Sequence, residues 1–127
     1  MIRVAITEDH PQVRAALRLL LSLSKDIELI CETDNGQEAV NCVKRLQPDI
    51  LVMAIHLPLL GGLEATKQIT DLSVSTRVIL ISVDIGSFMA MQAAGVGARG
   101  FVPKDDAAQQ LLPAIEAVQR GETFFVE

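Results

Sequence analysis

The run "DILVMA", residues 49–54, most limits how this chain can fold. It is apolar at every position after Asp49, with no alternation. A strand wetted on one face alternates apolar and polar residues, so a strand without alternation is covered on both faces, as in the middle of a parallel sheet. Four other runs read as strands: "IRVAIT" (2–7), "IELICET" (27–33), "RVILIS" (77–82) and "ARGFVPK" (98–104), the last ending before Pro103. Longer stretches with helical spacing separate them. Pro11 suits the first turn of a helix, and Val13, Leu17, Leu20 and Leu21 share one side of it. Gly36 and Gln37 open a second helix, with Ala39, Val40, Val43 and Leu46 inward and Pro48 as its stop. "GGLEATKQITDL" (61–72) predicts a third helix, and "GSFMAMQAAG" (86–95) a short fourth closed by Gly95. "AAQQLLPAIEAVQRG" (107–121) predicts the last, with Leu111, Leu112, Ile115 and Val118 inward and Gly121 as its terminator. Pro113 sits awkwardly there. Inside a helix it removes a hydrogen bond at a cost of ~3 kcal/mol, which predicts an irregular first turn or a late start.

Five strand–helix units in 127 residues predict one α/β domain spanning 1–127, a doubly wound parallel sheet with helices on both faces. Half the residues are apolar but only 3% are aromatic, so the core must be aliphatic. The formal net charge of −5, without a Lys/Arg cluster, argues against a nucleic-acid-binding face. No apolar run is long enough to span a membrane, and "MIRVAITED" enters a strand without a signal-peptide pattern. Cys31 and Cys42 lack metal-ligand spacing and read as ordinary buried small side chains of a protein in the reducing cytoplasm.

Parallel sheets of this kind bind ligands at the carboxyl ends of their strands. Glu8 and Asp9 follow the first strand, Ala54, Ile55 and His56 the third, Ser82 the fourth and Lys104 the fifth. Adjacent carboxylates repel unless a cation lies between them, and oxygen ligands with open water positions suit Mg²⁺. A hydroxyl and an ammonium opposite them suit phosphoryl oxygens. A carboxylate nucleophile at the end of the third strand would complete a site for an aspartyl phosphate. Ala54 stands there instead. Each residue also has a plainer reading. Glu8 and Asp9 could cap the helix near Pro11, Phe101 could be core, His56 could be a solvent-facing side chain, and Met89 and Met91 could be core and rim packing.

The pieces "ITEDHPQVRAALRLLL", "DNGQEAV", "QPDILVMAIHLP", "GLEAT", "VILIS", "GARGFVPKD" and "LLPAIEAVQRGE" run almost end to end. In order and spacing they resemble the receiver domain of a bacterial two-component response regulator of the NarL/FixJ type. The resemblance implies a flavodoxin-like five-stranded sheet in the order 2-1-3-4-5, with the first and last helices on one face. It implies that Glu8 and Asp9 hold Mg²⁺, with Asp9 the direct ligand and the His56 backbone carbonyl a further one. Ser82 would be the switch hydroxyl, Phe101 the switch aromatic, and Lys104 the partner of the phosphate. Ala54 stands where the family has its phosphoacceptor Asp. It came either from a deliberate Asp-to-Ala replacement or from a natural receiver that signals without phosphate, and the intact remainder of the site favours a recent change. With no Pro after Lys104, the cis Lys–Pro bond of many relatives is impossible.

The resemblance further implies a signalling module rather than an enzyme, a sensor histidine kinase as partner, and a homodimer as a possible state. DNA would be bound only through a separate C-terminal helix-turn-helix domain, with "GETFFVE" (121–127) as the start of the linker to it. The alternative reading is a phosphate-handling enzyme of similar topology, which would need an Asp nucleophile at the end of its first strand. A flavin or nucleotide binder would need a Gly- or Ser/Thr-rich loop there, and "TEDHP" is opposite in charge.

Overall fold

The computed structural model describes residues 1–72, 74–84 and 86–126. Strand β1 (Ile2–Thr7) leads to helix α1 (Pro11–Leu21), β2 (Ile27–Thr33) to α2 (Gly36–Leu46), and β3 (Ile50–Ala54) to α3 (Gly62–Asp71). Next come β4 (Arg77–Ser82), α4 (Ser87–Gly95), β5 (Gly100–Pro103), a 3₁₀ turn (Lys104–Asp106), α5 (Ala107–Gln119) and β6 (Phe124–Phe125). All strand pairs are parallel, in the order β2-β1-β3-β4-β5-β6.

Among the described residues the sheet has six strands, not the five expected. "GETFFVE" is expected to begin a linker, but Gly121 turns the chain with φ 93° and Phe124 and Phe125 pair with Gly100 and Phe101. Two adjacent aromatic residues half-bury themselves there and satisfy the open edge of β5. Glu127, the last residue of that stretch, lies outside the described residues. Pro103, placed beyond β5 by the sequence, is its final residue, opposite Ser82. Pro113 neither delays nor breaks α5. It and Gln109, whose carbonyl loses the bond, both face solvent, so water can serve that carbonyl.

Two apolar layers cover the sheet. Leu17 and Leu21 of α1 and Leu111, Ala114, Ile115 and Val118 of α5 pack on Val4, Ile6, Ile50, Val52, Ile79 and Ile81. The other layer joins α2, α3 and α4 to Ala5, Leu51, Met53, Leu80 and Phe101. The expectation of α1 and α5 on one face holds. Met89 packs against the second layer, whereas Met91 is exposed. Ion pairs and caps tie the layers to the sheet. The Arg3 guanidinium donates to the carbonyls of Leu46 and Gln47 at 2.9 and 3.0 Å, satisfying the end of α2. Arg18 on α1 binds both carboxylate oxygens of Glu32 on β2, at 2.7 and 2.8 Å.

Two glycines are required by close backbone approach. A Cβ on Gly62 would lie 2.2 Å from the Ala54 carbonyl oxygen, and one on Gly36 would lie 1.9 Å from that of Leu60. A Cβ on Gly95 would meet nothing within 4 Å. Gly62→Ala should therefore cost about 2 kcal/mol in urea unfolding, while Gly95→Ala should stay within about 0.5 kcal/mol of the parent. The Arg18 hydrogen bond holds the Glu32 carboxyl below its ordinary range. A carboxyl depressed by folding adds stability above its unfolded pKa and loses it as pH falls through the folded one. Arg18→Ala should thus destabilise the protein slightly at neutral pH, and the difference from the parent in urea unfolding should shrink as the pH falls through the lowered Glu32 range.

Candidate functional site

The sheet register brings the predicted residues together. Thr7 lies opposite Met53, so Glu8 leaves β1 beside Ala54. Ala54 lies opposite Ile81, and Ser82 lies opposite Pro103, with Lys104 next. Parallel strands in this register end on one edge, and that edge collects Glu8, Asp9, Ala54, Ser82 and Lys104.

Glu8 is fully buried. Its backbone N–H donates to the Thr33 carbonyl at 3.1 Å, and its carbonyl accepts from Arg14 of α1 at 2.7 Å. Its Oε2 accepts the His10 N–H at 3.3 Å. Oε1 stands 2.5 Å from Lys104 Nζ, a contact of opposite charges without the alignment of a hydrogen bond. The Lys104 side chain is only 17% exposed, so the pair is poorly screened. Asp9 is half-buried, and its Oδ1 is enclosed without a hydrogen-bond partner among the described residues. The capping reading of the acid pair fails, because His10 occupies the N-cap of α1 without a side-chain cap bond.

Ala54 is 1% exposed, and its methyl belongs to the apolar layer under α1 and α5. It offers the site no oxygen from its side chain. Ser82 is buried, and its Oγ accepts the Asp84 N–H at 3.0 Å. Phe101 is also buried, packed with the α2, α3 and α4 layer, and the Val126 N–H binds its carbonyl at 2.9 Å. In this geometry Phe101 is a core residue. His56 is largely exposed, and its Nε2 lies 2.6 Å from Asp84 Oδ2. That pair bridges the loops after β3 and β4. The loop after β3 also contains Leu59 in the left-handed region, φ 69°, where the Leu60 N–H closes onto the Pro58 carbonyl at 2.7 Å.

The sequence reading missed Asp84 and Arg14. Asp84 lies two residues beyond Ser82, a spacing that served as a signal only once His56 was placed opposite. Arg14 follows Glu8 by six residues, and only the path of the chain into α1 turns it back onto the Glu8 carbonyl.

The donors suit a small hard cation in part. Glu8, Asp9 and His10 each offer a ligand atom, all within 4.8 Å of one another. Enclosed carboxylate oxygens without hydrogen-bond partners are what an oxygen-seeking ion would satisfy. Lys104 already neutralises one of them, and no carboxylate reaches the site from β3. Among the described residues, no helix is long and apolar enough to cross a membrane.

Residues 4–116 match the family model of the response regulator receiver domain. The transcriptional regulatory protein LnrK of Bacillus subtilis (strain 168) is 36% identical over 121 residues, covering 95% of this chain and 55% of LnrK. The DNA-binding transcriptional activator EvgA of Escherichia coli (strain K12) is 33% identical over 120 residues, 94% of this chain and 58% of EvgA. The chain thus spans somewhat over half the length of these curated relatives. Among solved structures, the signal receiver domain of the response regulator NarL from Mycobacterium tuberculosis superposes with a TM-score of 0.91 at 29% identity, covering 95% of this chain and 98% of that one. A LuxR-family two-component response regulator from Aurantimonas sp. SI85-9A1 gives 0.91 at 33% identity, covering 96% and 87%. The chain therefore belongs to the response regulator receiver domain family, with NarL- and LuxR-type regulators among its relatives.

Proposed function

We propose that this is the signal-receiving part of a two-component transcriptional regulator that cannot be phosphorylated at the usual position. The observation that carries the reading is the buried methyl of Ala54 in the middle of the strand-end site, with the Lys104 ammonium turned to Glu8. Phosphorylation of a receiver needs a carboxylate oxygen to attack phosphorus, and the Ala54 side chain has none. Ser82 and Lys104 are the residues that would meet phosphoryl oxygens, with Phe101 as the aromatic that follows Ser82. Glu8, Asp9 and the His56 backbone carbonyl are those that would hold Mg²⁺. The ion, when bound, neutralises charge on a transferring phosphoryl group. Its binding should be weak here, because Ala54 supplies no ligand and Lys104 competes for Glu8.

In this reading the chain works in the cytoplasm as an interaction module and not as an enzyme. A sensor histidine kinase is its partner, and a second copy of the chain is a further one. DNA is reached through a C-terminal helix-turn-helix domain of the longer regulator, in keeping with the transcriptional regulators it matches over somewhat more than half their length. With a net charge of −5, the present chain should show no micromolar affinity for duplex DNA at physiological salt in an anisotropy titration.

Two further experiments test the site. With acetyl phosphate and Mg²⁺, the protein should gain no mass, whereas Ala54→Asp should gain about 80 Da, one phosphoryl group on a carboxylate. Without metal the added carboxylate should cost about 1 kcal/mol, and Mg²⁺ at a hundredfold excess over its dissociation constant should return about 2.7 kcal/mol. An adduct on the unchanged protein, or an inert Ala54→Asp variant, overturns the reading. The second experiment concerns the ion pair. Lys104→Met should cost about 3 kcal/mol by leaving the Glu8 carboxylate buried and unpaired, and adding Glu8→Gln should return at least half of that. A double variant no more stable than Lys104→Met would show that the pair does not hold the site together.

A further inference from the structure

The only two cysteines of the chain are eleven positions apart, and the fold sets both against one apolar layer, away from the strand-end site. Cys31 lies on β2 and Cys42 on α2. Cys42 is buried in the layer formed by α2, α3 and α4, and the half-buried Cys31 packs against that layer from the sheet. A register shift contributes to the meeting. Val4 of β1 lies opposite Leu29, but Ala5 lies opposite Cys31, so Ile30 is an extra residue in β2. Such a bulge re-aims the residues beyond it. β2 is also an edge strand with β1 as its one neighbour, which leaves it freer to shift than the strands held on both sides.

The two thiols differ in reactivity. Burial, and then the adjacent Cys31 thiol, push the Cys42 thiol up to about 12. Cys42 is thus fully protonated at neutral pH and shielded from solvent. Cys31, half-buried at the sheet edge, is the sulfur that a dissolved oxidant reaches first. The expectation of two ordinary buried small side chains describes Cys42, whereas Cys31 is only half-buried.

We propose that Cys31 and Cys42 are a modification site, a dithiol that a hydroperoxide converts to a reversible intramolecular disulfide. The Cys31 thiolate attacks one oxygen of hydrogen peroxide. The O–O bond breaks, the departing hydroxide takes up a proton as water, and Cys31 becomes a sulfenic acid. The Cys42 sulfur then attacks the Cys31 sulfur. The S–O bond breaks, and the hydroxide leaves with the Cys42 proton as a second water. Two thiols and one peroxide give one disulfide and two waters, each sulfur losing one electron. The high pKa of Cys42 makes the second step slow, so the disulfide forms over a longer time than the first oxidation.

The cross-link would join β2 to α2 across the turn at Asp34 and Asn35. Thr33 lies inside the closed loop, and its carbonyl holds the Glu8 N–H at 3.1 Å. Oxidation would therefore stiffen one wall of the strand-end site without touching its charged groups. The proposal does not depend on whether that site takes a phosphoryl group.

The test exposes the folded full chain to hydrogen peroxide, quenches it, and measures intact mass and thiol content in denaturant. The expected result is loss of both thiols together with a mass decrease of about 2 Da, in a monomer, reversed by dithiothreitol. The melting temperature of the oxidised form should rise. In Cys42→Ser, Cys31 should stop at a sulfenic acid trapped by dimedone. In Cys31→Ser, Cys42 should keep its thiol under the same exposure. The mass and thiol measurements on the unchanged protein decide the matter even where a variant folds poorly. Gain of two or three oxygens on Cys31 while Cys42 stays titratable overturns the proposal. So does a disulfide-linked dimer, or survival of both thiols after glutathione has been fully oxidised under the same conditions.

Discussion

The structure depends on the complete desolvation of β3. All five of its residues are buried, so every backbone donor and acceptor between Ile50 and Ala54 must find a partner in β1 or β4. That requirement fixes the middle of the sheet, and the aliphatic side chains on either face then call for helices above and below. Few aromatic residues are needed, because Val, Ile and Leu at alternating heights fill the layers. Ala54 completes both tasks, since its backbone ends the strand and its methyl lies in the apolar layer. The end of this strand is thus closed by packing and carries no polar side chain.

The polar edge of the sheet is organised by a different term. Glu8 has no exposure to water, and a lone buried carboxylate would be strongly unfavourable. Lys104 and the His10 N–H meet this carboxylate, and Arg14 of α1 holds the Glu8 backbone carbonyl. The loops after β1 and β5 are in this way held at one point by charge and hydrogen bonding. The loops after β3 and β4 are bridged separately and nearer to solvent, through His56 and Asp84.

Much of the fold was legible in the sequence, because strand and helix periods are local signals. The unbroken apolar run of β3, the Pro11 entry to α1 and the Gly121 stop after α5 each rest on a few adjacent residues. The strand ends then named Glu8, Asp9, Ser82 and Lys104 as neighbours, which the register shows them to be. What stayed hidden depends on contacts between distant segments. β6 is two residues long and exists only because the edge of β5 offers partners to Phe124 and Phe125. The helix-breaking character of Pro113 was real, but its consequence depended on which side of α5 meets water. Asp84 and Arg14 became visible only with the loops in place, and the placing of Cys31 on the layer that holds Cys42 follows a register shift at Ile30.

The backbone-to-backbone approaches at Gly36 and Gly62 have a consequence for how the domain can be lengthened. The segment from Ile55 to Gly62 is pinned at both ends, at Leu60 against Gly36 and at Gly62 against the Ala54 carbonyl. An inserted residue there has no slack to absorb it, so that segment is a poor place to splice foreign sequence. The turn at Gly121 is the opposite case, with a positive φ, open space around the Cα and a connection that only has to reach the sheet edge. A reporter peptide grafted at that turn would leave the six-stranded arrangement intact, whereas the same graft after Ile55 would separate α3 from the strand that positions it.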